Sequence, residues 1–280
     1  MIDLHSHSTA SDGSYAPAAL VALALERGFS ALALTDHDTV AGLAEAEAAA
    51  AGTALRLIPG VEIEIEFSPG EFHLLGLGFD RSSPRLLDAL AGLAKAREER
   101  NLRILAKMAD AGYPASIEEL RAVAGAGMPG RPHIALLLVE RKAARSRQDA
   151  FDRYLGKGRP FYEPKGCLDL ESALELVHDA GGIAVVAHPL SLFVSWGRLA
   201  TLMDEWKELG VDAIEAYHPT AKLNHCRRLE RMARERGFRV SAGSDFHGAI
   251  RPERKLGRTA GDLPIGDAYL TELGLALRPA

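Results

Sequence analysis

Short apolar runs alternate with longer amphipathic stretches along most of the chain. Seven runs have the length and composition of buried strands, at 2–4, 31–34, 57–61, 73–77, 183–187, 213–216 and 239–241. Four stretches with helical spacing, at 16–27, 40–51, 169–180 and 223–236, are each followed by glycine, which commonly ends helices. Strands that alternate with helices predict parallel strands joined by crossovers. We therefore predict an α/β fold, and seven strands favour a barrel over an open sheet.

The segment 81–165 interrupts this alternation. Four helical patterns follow one another there without a strand between them, at 84–111, 117–124, 132–139 and 148–155. We interpret the segment as a helical insertion that emerges from the rim of a barrel formed by 1–80 and 166–280. Its expected role is a cap that binds the substrate.

Positive charge is concentrated in the same insertion. Residues 131–165 contain nine Lys and Arg against four acidic residues, a balance of +5 in a chain whose formal net charge is −5. The charge is either a solvated helix face or a wall that attracts phosphate groups. The negative charge of the whole chain argues against broad coating of nucleic acid.

The remaining composition is that of an ordinary globular protein. The chain has 280 residues, of which 47% are hydrophobic and 25% charged, so a sizeable core can form. Cys167 and Cys226 lack the spacing of a metal site or a disulfide framework, which indicates a reducing compartment. No signal peptide and no membrane-spanning run is recognisable. We expect a cytoplasmic protein without membrane association, and no obligate protein partner is indicated.

Histidines and carboxylates gather at the predicted strands. Seven of the ten histidines do so: His5, His7, His37, His73, His188, His218 and His247. The C-terminal ends of the strands of a parallel barrel meet on one face, where active sites lie. Any single histidine here has a structural explanation, such as a satisfied core position, but chance placement explains the whole set poorly.

The residue types in this set are those of a metal site. Imidazole and carboxylate groups without cysteine suit Mn²⁺, Zn²⁺ or Fe²⁺. The candidate ligands exceed what one ion can use, so two or three divalent ions are implied, with one carboxylate bridging them. Glu62, on a central predicted strand, is the candidate bridge. Manganese is the expected ion, and zinc and iron are the alternatives.

Five motifs in order resemble those of the PHP (polymerase and histidinol phosphatase) family. They are His5-x-His7, Thr35-Asp36-His37-Asp38, Gly60-x-Glu62, Ala187-His188-Pro189 and Ser244-Asp245-x-His247. The resemblance implies a distorted (β/α)7 barrel with a trinuclear metal centre. It implies three ligand groups: His5, His7, Glu62 and Asp245; Glu62, His73 and His188; Asp12, His37 and His247. No expected ligand is missing.

Within the family, the chain is most similar to bacterial 3′,5′-nucleoside bisphosphate phosphatases and related 5′→3′ exoribonucleases. The similarity rests on segments 5–13 and 130–135 and on the inserted helices. It implies removal of the 3′-phosphate from bisphosphonucleotides, such as pAp to AMP and phosphate, and degradation of short 5′-phosphorylated RNA from its 5′ end. Histidinol phosphate or another small phosphate ester is an alternative substrate. A non-catalytic metal-binding module is an alternative of another class.

The expected reaction is attack on phosphorus by a hydroxide that bridges two metal ions. His218, which ends a predicted strand but is not among the family's ligands, is the candidate general acid. Its alternative role is to orient a ligand or the substrate.

A second phosphate is expected on the basic insertion. Arg131 and His133 are the first candidates to bind it, and Arg159 and Lys165 are weaker ones, with structural ion pairs as the alternative role. A nuclease for longer single strands would need a track of stacking aromatic side chains. The insertion offers enough for one or two bases: Phe151, Tyr154, Phe161 and Tyr162.

Overall fold

The sheet of the computed structural model, which describes residues 1–125, 127–164 and 166–275, is a nearly closed barrel. Its seven strands lie in chain order: β1 (Ile2–Asp3), β2 (Ala31–Leu34), β3 (Arg56–Ile65), β4 (Phe72–Leu77), β5 (Ile183–Ala187), β6 (Ala213–Tyr217) and β7 (Arg239–Ala242). The two edges approach each other, because Ser6 bridges Phe246 and the amide of His7 donates to the Phe246 carbonyl over 2.9 Å. The predicted distorted (β/α)7 barrel is confirmed.

The direction of β4 corrects the expectation of uniformly parallel strands. β4 pairs antiparallel with both β3 and β5, whereas the other neighbouring strands of the barrel pair in parallel. A parallel crossover needs a dozen or more residues, and only residues 66–71 separate β3 from β4. The short connection forces a hairpin. β3 also runs to Ile65, beyond the predicted end at 61, because its last residues pair with β4.

Helices occupy much of the remaining chain. Within the described residues they are α1 (Pro17–Glu26), α2 (Leu43–Ala50), α3 (Pro84–Asp110), α4 (Ile117–Ala124), α5 (Arg131–Glu140), α6 (Arg147–Ala150), α7 (Leu170–Asp179), α8 (Trp196–Leu209), α9 (Leu223–Glu235) and α10 (Ala268–Glu272). Helices α1, α2, α7 and α9 lie where the helical spacing predicts them. Among the residues described, no helix has the length and apolarity needed to cross a membrane.

Helix α8 is absent from the predicted elements although the sequence carries signals for both its ends. The Ser195 hydroxyl accepts a hydrogen bond from the Arg198 amide over 3.2 Å, which is a typical N-cap. Gly210 ends the helix with a φ of 98°, a left-handed conformation that favours glycine. The crossover between β5 and β6 is therefore helical, like the one between β6 and β7.

The C-terminal segment closes one end of the barrel. Its apolar side chains join the core formed by the strands, and this core contains Ile2, Ala33, Ile58, Leu75, Val185, Ile265 and Leu273. The Ile2 amide donates to the Ile265 carbonyl over 3.0 Å, at the start of β1. Because this segment covers the end where β1 begins, the opposite end of the barrel remains for a functional site.

Residues 89–166 form a second compact unit with a core of its own. The core includes Ile104, Leu120, Ile134, Leu138 and Phe161. The helical pattern at 148–155 corresponds to α6 followed by a π-helical turn, Phe151–Leu155. Helix α3 begins in the barrel unit and continues into this one. The role of the second unit as a substrate-binding cap stays a prediction.

Candidate metal centre

The side chains predicted as metal ligands meet at one end of the barrel. His5, His7 and Asp12 follow β1, His37 follows β2, and Glu62 lies within β3; the others are His73, His188, Asp245 and His247. His188, Asp245 and His247 come from the segments after β5 and β7. His73 is near the start of β4, and the antiparallel direction of β4 brings it to the same end.

Glu62 is at the centre of this cluster and is only 1% exposed. Its Oε2 lies 3.3, 3.2 and 3.1 Å from ring nitrogens of three histidines, His5, His7 and His37. Its Oε1 lies 2.8 and 2.9 Å from ring nitrogens of two others, His73 and His188. The two oxygens of one carboxylate thus face two different sets of imidazoles, an arrangement suited to a carboxylate that bridges two ions.

Two further carboxylates extend the cluster. The Oδ1 atom of Asp245 lies 3.1 Å from His7 Nε2 and 3.5 Å from His5 Nε2. The Oδ1 atom of Asp12 lies 3.3 Å from His247 Nε2 and 3.9 Å from His37 Nε2. Three groups have all their ligand atoms within 4.8 Å of one another: His5, His7, Glu62 and Asp245; His7, Asp12, His37 and His247; His37, Glu62 and His73.

Several buried atoms of the cluster have no hydrogen-bond partner within the part of the chain that is described. They are His5 Nε2, both ring nitrogens of His7, Glu62 Oε2, His73 Nδ1 and Asp245 Oδ1. A buried polar atom left without a partner costs about 1–3 kcal/mol, and native proteins contain few. Divalent ions would satisfy these atoms together. The cluster therefore fits divalent metal binding, and its nitrogen and oxygen donors suit manganese, zinc and iron alike.

Glu215 is a functional residue that the sequence analysis missed. It lies within β6 and is 1% exposed. Its Oε1 lies 3.0 Å from His5 Nδ1, and its Oε2 accepts the backbone amide of His188 over 2.8 Å. The contact at Nδ1 directs the other ring nitrogen of His5 toward Glu62. Histidines that bind metals commonly have their rings oriented by such a partner. The signal in the sequence was one carboxylate inside an otherwise apolar strand.

Two other buried carboxylates hold the loops that carry the clustered side chains. Asp36 accepts hydrogen bonds from the Ser8 amide over 2.8 Å and from the Ser11 hydroxyl over 2.6 Å. Asp3 accepts the Ser244 amide over 3.0 Å. Burial raises the pKa of Asp3 to about 6, against the opposing effect of its hydrogen bonds with Ser244. These bonds fix the segments before Asp12 and before Asp245.

His218 lies beside Asp245, as does Arg254. His218 Nε2 is 3.0 Å from Asp245 Oδ2, and its Nδ1 is 2.7 Å from the Thr220 hydroxyl. The Arg254 guanidinium contacts the same Asp245 oxygen. Burial lowers the pKa of His218, although the bond to Asp245 opposes this. The contact fits a role of His218 in orienting the Asp245 carboxylate, and both this role and that of a general acid stay predictions.

The predicted phosphate-binding residues belong to the second unit. Arg131 is the first residue of α5, and no carboxylate of the described residues forms an ion pair with it. The His133 ring accepts the Gly130 amide over 3.2 Å, which caps the same helix. Arg159 is exposed in the turn after the π-helix. Lys165 lies outside the described residues. Phosphate binding by these residues stays a prediction.

The carboxylates determine how the buried histidines hold protons in metal-free protein. Burial lowers the pKa of His7, but the Asp245 and Glu62 carboxylates close to its ring outweigh burial and raise the pKa to about 10. Burial lowers the pKa of His37 to about 3 in spite of Glu62 and Asp12. Burial would raise the pKa of Glu62, but the surrounding imidazoles hold it well below its ordinary value. A metal ion therefore has to displace a proton from His7.

Comparisons with known proteins agree on one family. The family described as PHP domain matches residues 3–155. The 5′-3′ exoribonuclease of Haemophilus influenzae is 38% identical over 245 residues, covering 88% of this chain and 89% of the relative. The 3′,5′-nucleoside bisphosphate phosphatase of Chromobacterium violaceum is 34% identical over 281 residues, covering 100% and 99%. The solved structure of an amidohydrolase from Chromobacterium violaceum has a TM-score of 0.83 at 33% identity, covering 100% and 98%.

The first prediction concerns Glu62. Glu62→Gln removes the charge that faces five imidazoles, so we expect the loss of about two ions per chain after loading and desalting. His247→Asn, which alters the group around Asp12, should lose mainly one. Elemental analysis of the purified variants measures both outcomes. Full occupancy in Glu62→Gln protein would contradict the assignment of Glu62 as the bridge.

A second prediction concerns protons. Since the pKa of His7 in metal-free protein is raised from 6.5 to about 10, this histidine is protonated at pH 7 and binds metal only after losing the proton. We expect the release of at least one proton on metal binding at pH 7, and an affinity that rises with pH up to about 10. Calorimetry in two buffers of different ionisation enthalpy measures the release. A binding enthalpy independent of the buffer would refute it.

The third prediction concerns Gly243, whose backbone lies close to the side chains of His5 and Glu215. A Cβ atom built there would lie 2.3 Å from the His5 Cβ and 2.5 Å from Glu215 Oε1. Gly243→Ala should therefore push His5 away from Glu62, lower metal occupancy, and reduce the free energy of unfolding by about 1–3 kcal/mol. Urea denaturation and elemental analysis report the two effects. The control is Gly266→Ala, where an added Cβ meets nothing within 4 Å; equal behaviour of both variants would contradict the prediction.

Proposed function

The chain belongs to the PHP domain family, and on that basis we propose that it is a metal-dependent phosphoesterase that acts on nucleotides. The proposed reaction removes the 3′-phosphate from a 3′,5′-bisphosphonucleotide, as in the conversion of pAp to AMP and phosphate. The observation that carries the proposal is the buried Glu62 carboxylate, with five imidazoles around its two oxygens.

The nine clustered side chains are the proposed ligands of two or three divalent ions, with manganese as the expected ion. Such ions, when bound, polarise a phosphoryl oxygen and lower the pKa of water, which supplies a nucleophile near neutral pH. The protein's own contribution is to fix the ligands. Glu215 sets the ring of His5, and the buried Asp3 and Asp36 hold the loops. A purely structural site would be closed and four-coordinate, so a donor set of this size argues against a non-catalytic module.

The relatives support a nucleotide as the substrate. The similarity to a 3′,5′-nucleoside bisphosphate phosphatase spans essentially the whole of both chains. The similarity to a 5′-3′ exoribonuclease is higher in identity and covers most of both chains. Short 5′-phosphorylated RNA is therefore proposed as a second substrate, because its first internal linkage would take the place of the 3′-ester. Histidinol phosphate contains no nucleoside, whereas RNA and nucleoside bisphosphates, which the names of these two relatives specify, both do.

The second phosphate of the substrate is proposed to bind Arg131 and His133. Arg131 has no carboxylate partner among the described residues and begins α5, at the positive end of the helix dipole. A planar guanidinium is suited to bidentate contact with phosphate. Arg159 is an exposed cation of the same unit, and we propose that its charge helps to attract this phosphate.

His218 is proposed to give a proton to the leaving ribose oxygen. Its ring lines the cavity that contains the clustered histidines and carboxylates. The contact with Asp245 and the contact with Thr220 hold the ring in one orientation. The position fits both proton transfer and the orientation of Asp245.

The fourth prediction tests the substrate and the second phosphate together. Wild-type protein loaded with manganese should release phosphate from a 3′,5′-bisphosphonucleotide faster than from a nucleoside monophosphate or from histidinol phosphate. A charge-assisted contact contributes roughly 1.5–3 kcal/mol. Arg131→Ala should therefore lower kcat/KM on the bisphosphate by about one to two orders of magnitude and leave p-nitrophenyl phosphate nearly unaffected.

The matched control is Arg147→Ala. Arg147 is also an arginine at the first residue of a helix in the same unit, but no role in binding is proposed for it. It should leave both substrates unaffected. Equal losses on both substrates in Arg131→Ala protein would assign Arg131 to the fold instead, and faster turnover of histidinol phosphate than of the bisphosphonucleotide would overturn the proposed function.

A further inference from the structure

One wall of the cavity that contains the cluster is formed by residues other than the proposed metal ligands. The cavity measures about 550 Å³. Its lining includes most of the clustered side chains, Glu71, His218, Arg254 and the small residues Ser191, Thr220 and Ala221. The remaining lining residues are Leu190, Phe193, Lys222, His225 and Arg251. These five residues all belong to the barrel unit, and the reaction proposed above uses none of them. They share one cavity with the clustered side chains.

Phe193 is unusual in two respects. Its side chain is 78% exposed, the most exposed of the large hydrophobic residues recorded in the described chain. Its backbone has a φ of 52°, in the left-handed region that bulky residues rarely adopt. Within the residues described, no other ring and no cation contacts its face. An exposed aromatic ring in a strained conformation contributes little to folding, and strained residues of this kind cluster at ligand sites.

The turn that carries Phe193 is fixed to the barrel. It is a 3₁₀ turn, Pro189–Leu192, which starts directly after His188. The Ser191 carbonyl accepts the Glu71 amide over 3.0 Å, and the Ser191 hydroxyl donates to the Glu71 carbonyl over 2.8 Å. Gly70 allows this approach, because a Cβ there would lie 2.2 Å from the Ser191 carbonyl oxygen. The backbone that carries Phe193 is therefore held in place before any ligand arrives, which limits the entropy lost on binding.

Phe193 follows closely on His188, one of the proposed metal ligands. Phe193 lies five positions after His188, and a 3₁₀ turn rises about 2 Å per residue, so the two Cα atoms are separated by roughly 10 Å along the turn. A phosphate ester held at the cluster would place its own organic part over this span.

Two cations on the same wall are without a carboxylate partner in the described part of the chain. Lys222 precedes α9 and Arg251 follows the turn Gly248–Ile250, and both side chains are exposed. An aromatic face beside unpaired cations is the combination with which proteins bind single nucleotides, the ring stacking on a base and the cations facing phosphate.

We propose that Phe193 is a platform on which the nucleobase of the substrate stacks, and that Lys222 and Arg251 neutralise phosphate charge beside it. The inference rests on the proposed function and assigns a position to the nucleobase within the barrel unit. It also explains why a strained, exposed aromatic ring stands next to the cluster. Every nucleobase has a flat aromatic face, so the platform accepts different bases.

The test compares ligands with and without a base. Manganese-loaded protein is titrated calorimetrically with a nucleoside 5′-monophosphate and with ribose 5-phosphate, in the wild type and in Phe193→Ala, Phe193→Leu and Phe193→Trp variants. Loss of one base–aromatic stack should weaken binding of the nucleotide about tenfold or more in the Ala variant. Ribose 5-phosphate should bind all four proteins equally, and Phe193→Trp should retain the wild-type affinity for the nucleotide.

A second readout separates stacking from a merely structural role. A 2-aminopurine nucleotide loses fluorescence when its base stacks on a ring, so binding should quench it in wild-type and Phe193→Trp protein but not in Phe193→Ala or Phe193→Leu protein. Leu209→Ala, which removes another exposed apolar side chain of the same unit, should change neither affinity nor quenching.

The outcomes distinguish this inference from the proposed function. Equal weakening of the nucleotide and of ribose 5-phosphate in Phe193→Ala protein, or quenching that persists in that variant, would overturn the platform. Because both readouts measure binding, they hold whether or not phosphate is released. Failure of wild-type protein to hydrolyse bisphosphonucleotides would overturn the proposed function and leave the measured contribution of Phe193 to nucleotide binding unchanged.

Discussion

A carboxylate removed from water must be compensated by positive charge or by hydrogen bonds, and Glu62 imposes this requirement on one whole end of the barrel. The imidazoles around it come from four separate segments: the chain after β1, after β2 and after β5, and the start of β4. Each segment must therefore close on the same point. Protons on the histidines or divalent ions supply the positive charge that balances Glu62. The same cations that would take part in the reaction therefore also stabilise this end of the barrel.

Three further buried carboxylates hold the segments around Glu62 in their positions. Glu215 ties the ring of His5 and the backbone of His188 together, so that two histidines from distant parts of the chain keep their relation to Glu62. Asp3 and Asp36 do the same for the loops. The reversed strand β4 belongs to this scheme, because a parallel strand would carry His73 at the opposite end of the barrel. The position of the site thus depends on strand direction as much as on residue type.

Much of the fold could be predicted from local patterns in the sequence. The seven strands and the helices that end at glycine are visible in the sequence because apolar runs and caps are local signals, and the clustered side chains follow from motifs. The direction of β4 was not predicted, since it depends on the length of the connection after Ile65 and on how far β3 extends. Glu215 was not predicted because a single carboxylate in an apolar strand has no motif around it. The significance of Phe193 lies in its backbone conformation and exposure, neither of which can be read from the residue itself.

The two edges of the barrel sheet are the first and last strands, and this has a consequence for synthesis. His7 meets Asp245 at 3.1 Å, although one lies among the first residues of the 280-residue chain and the other close to its end. During translation the N-terminal histidines leave the ribosome long before the carboxylate that completes their group. A nascent or truncated chain thus carries an incomplete set of donors. The group that contains His7 and Asp245 is therefore complete only in a chain whose barrel has closed.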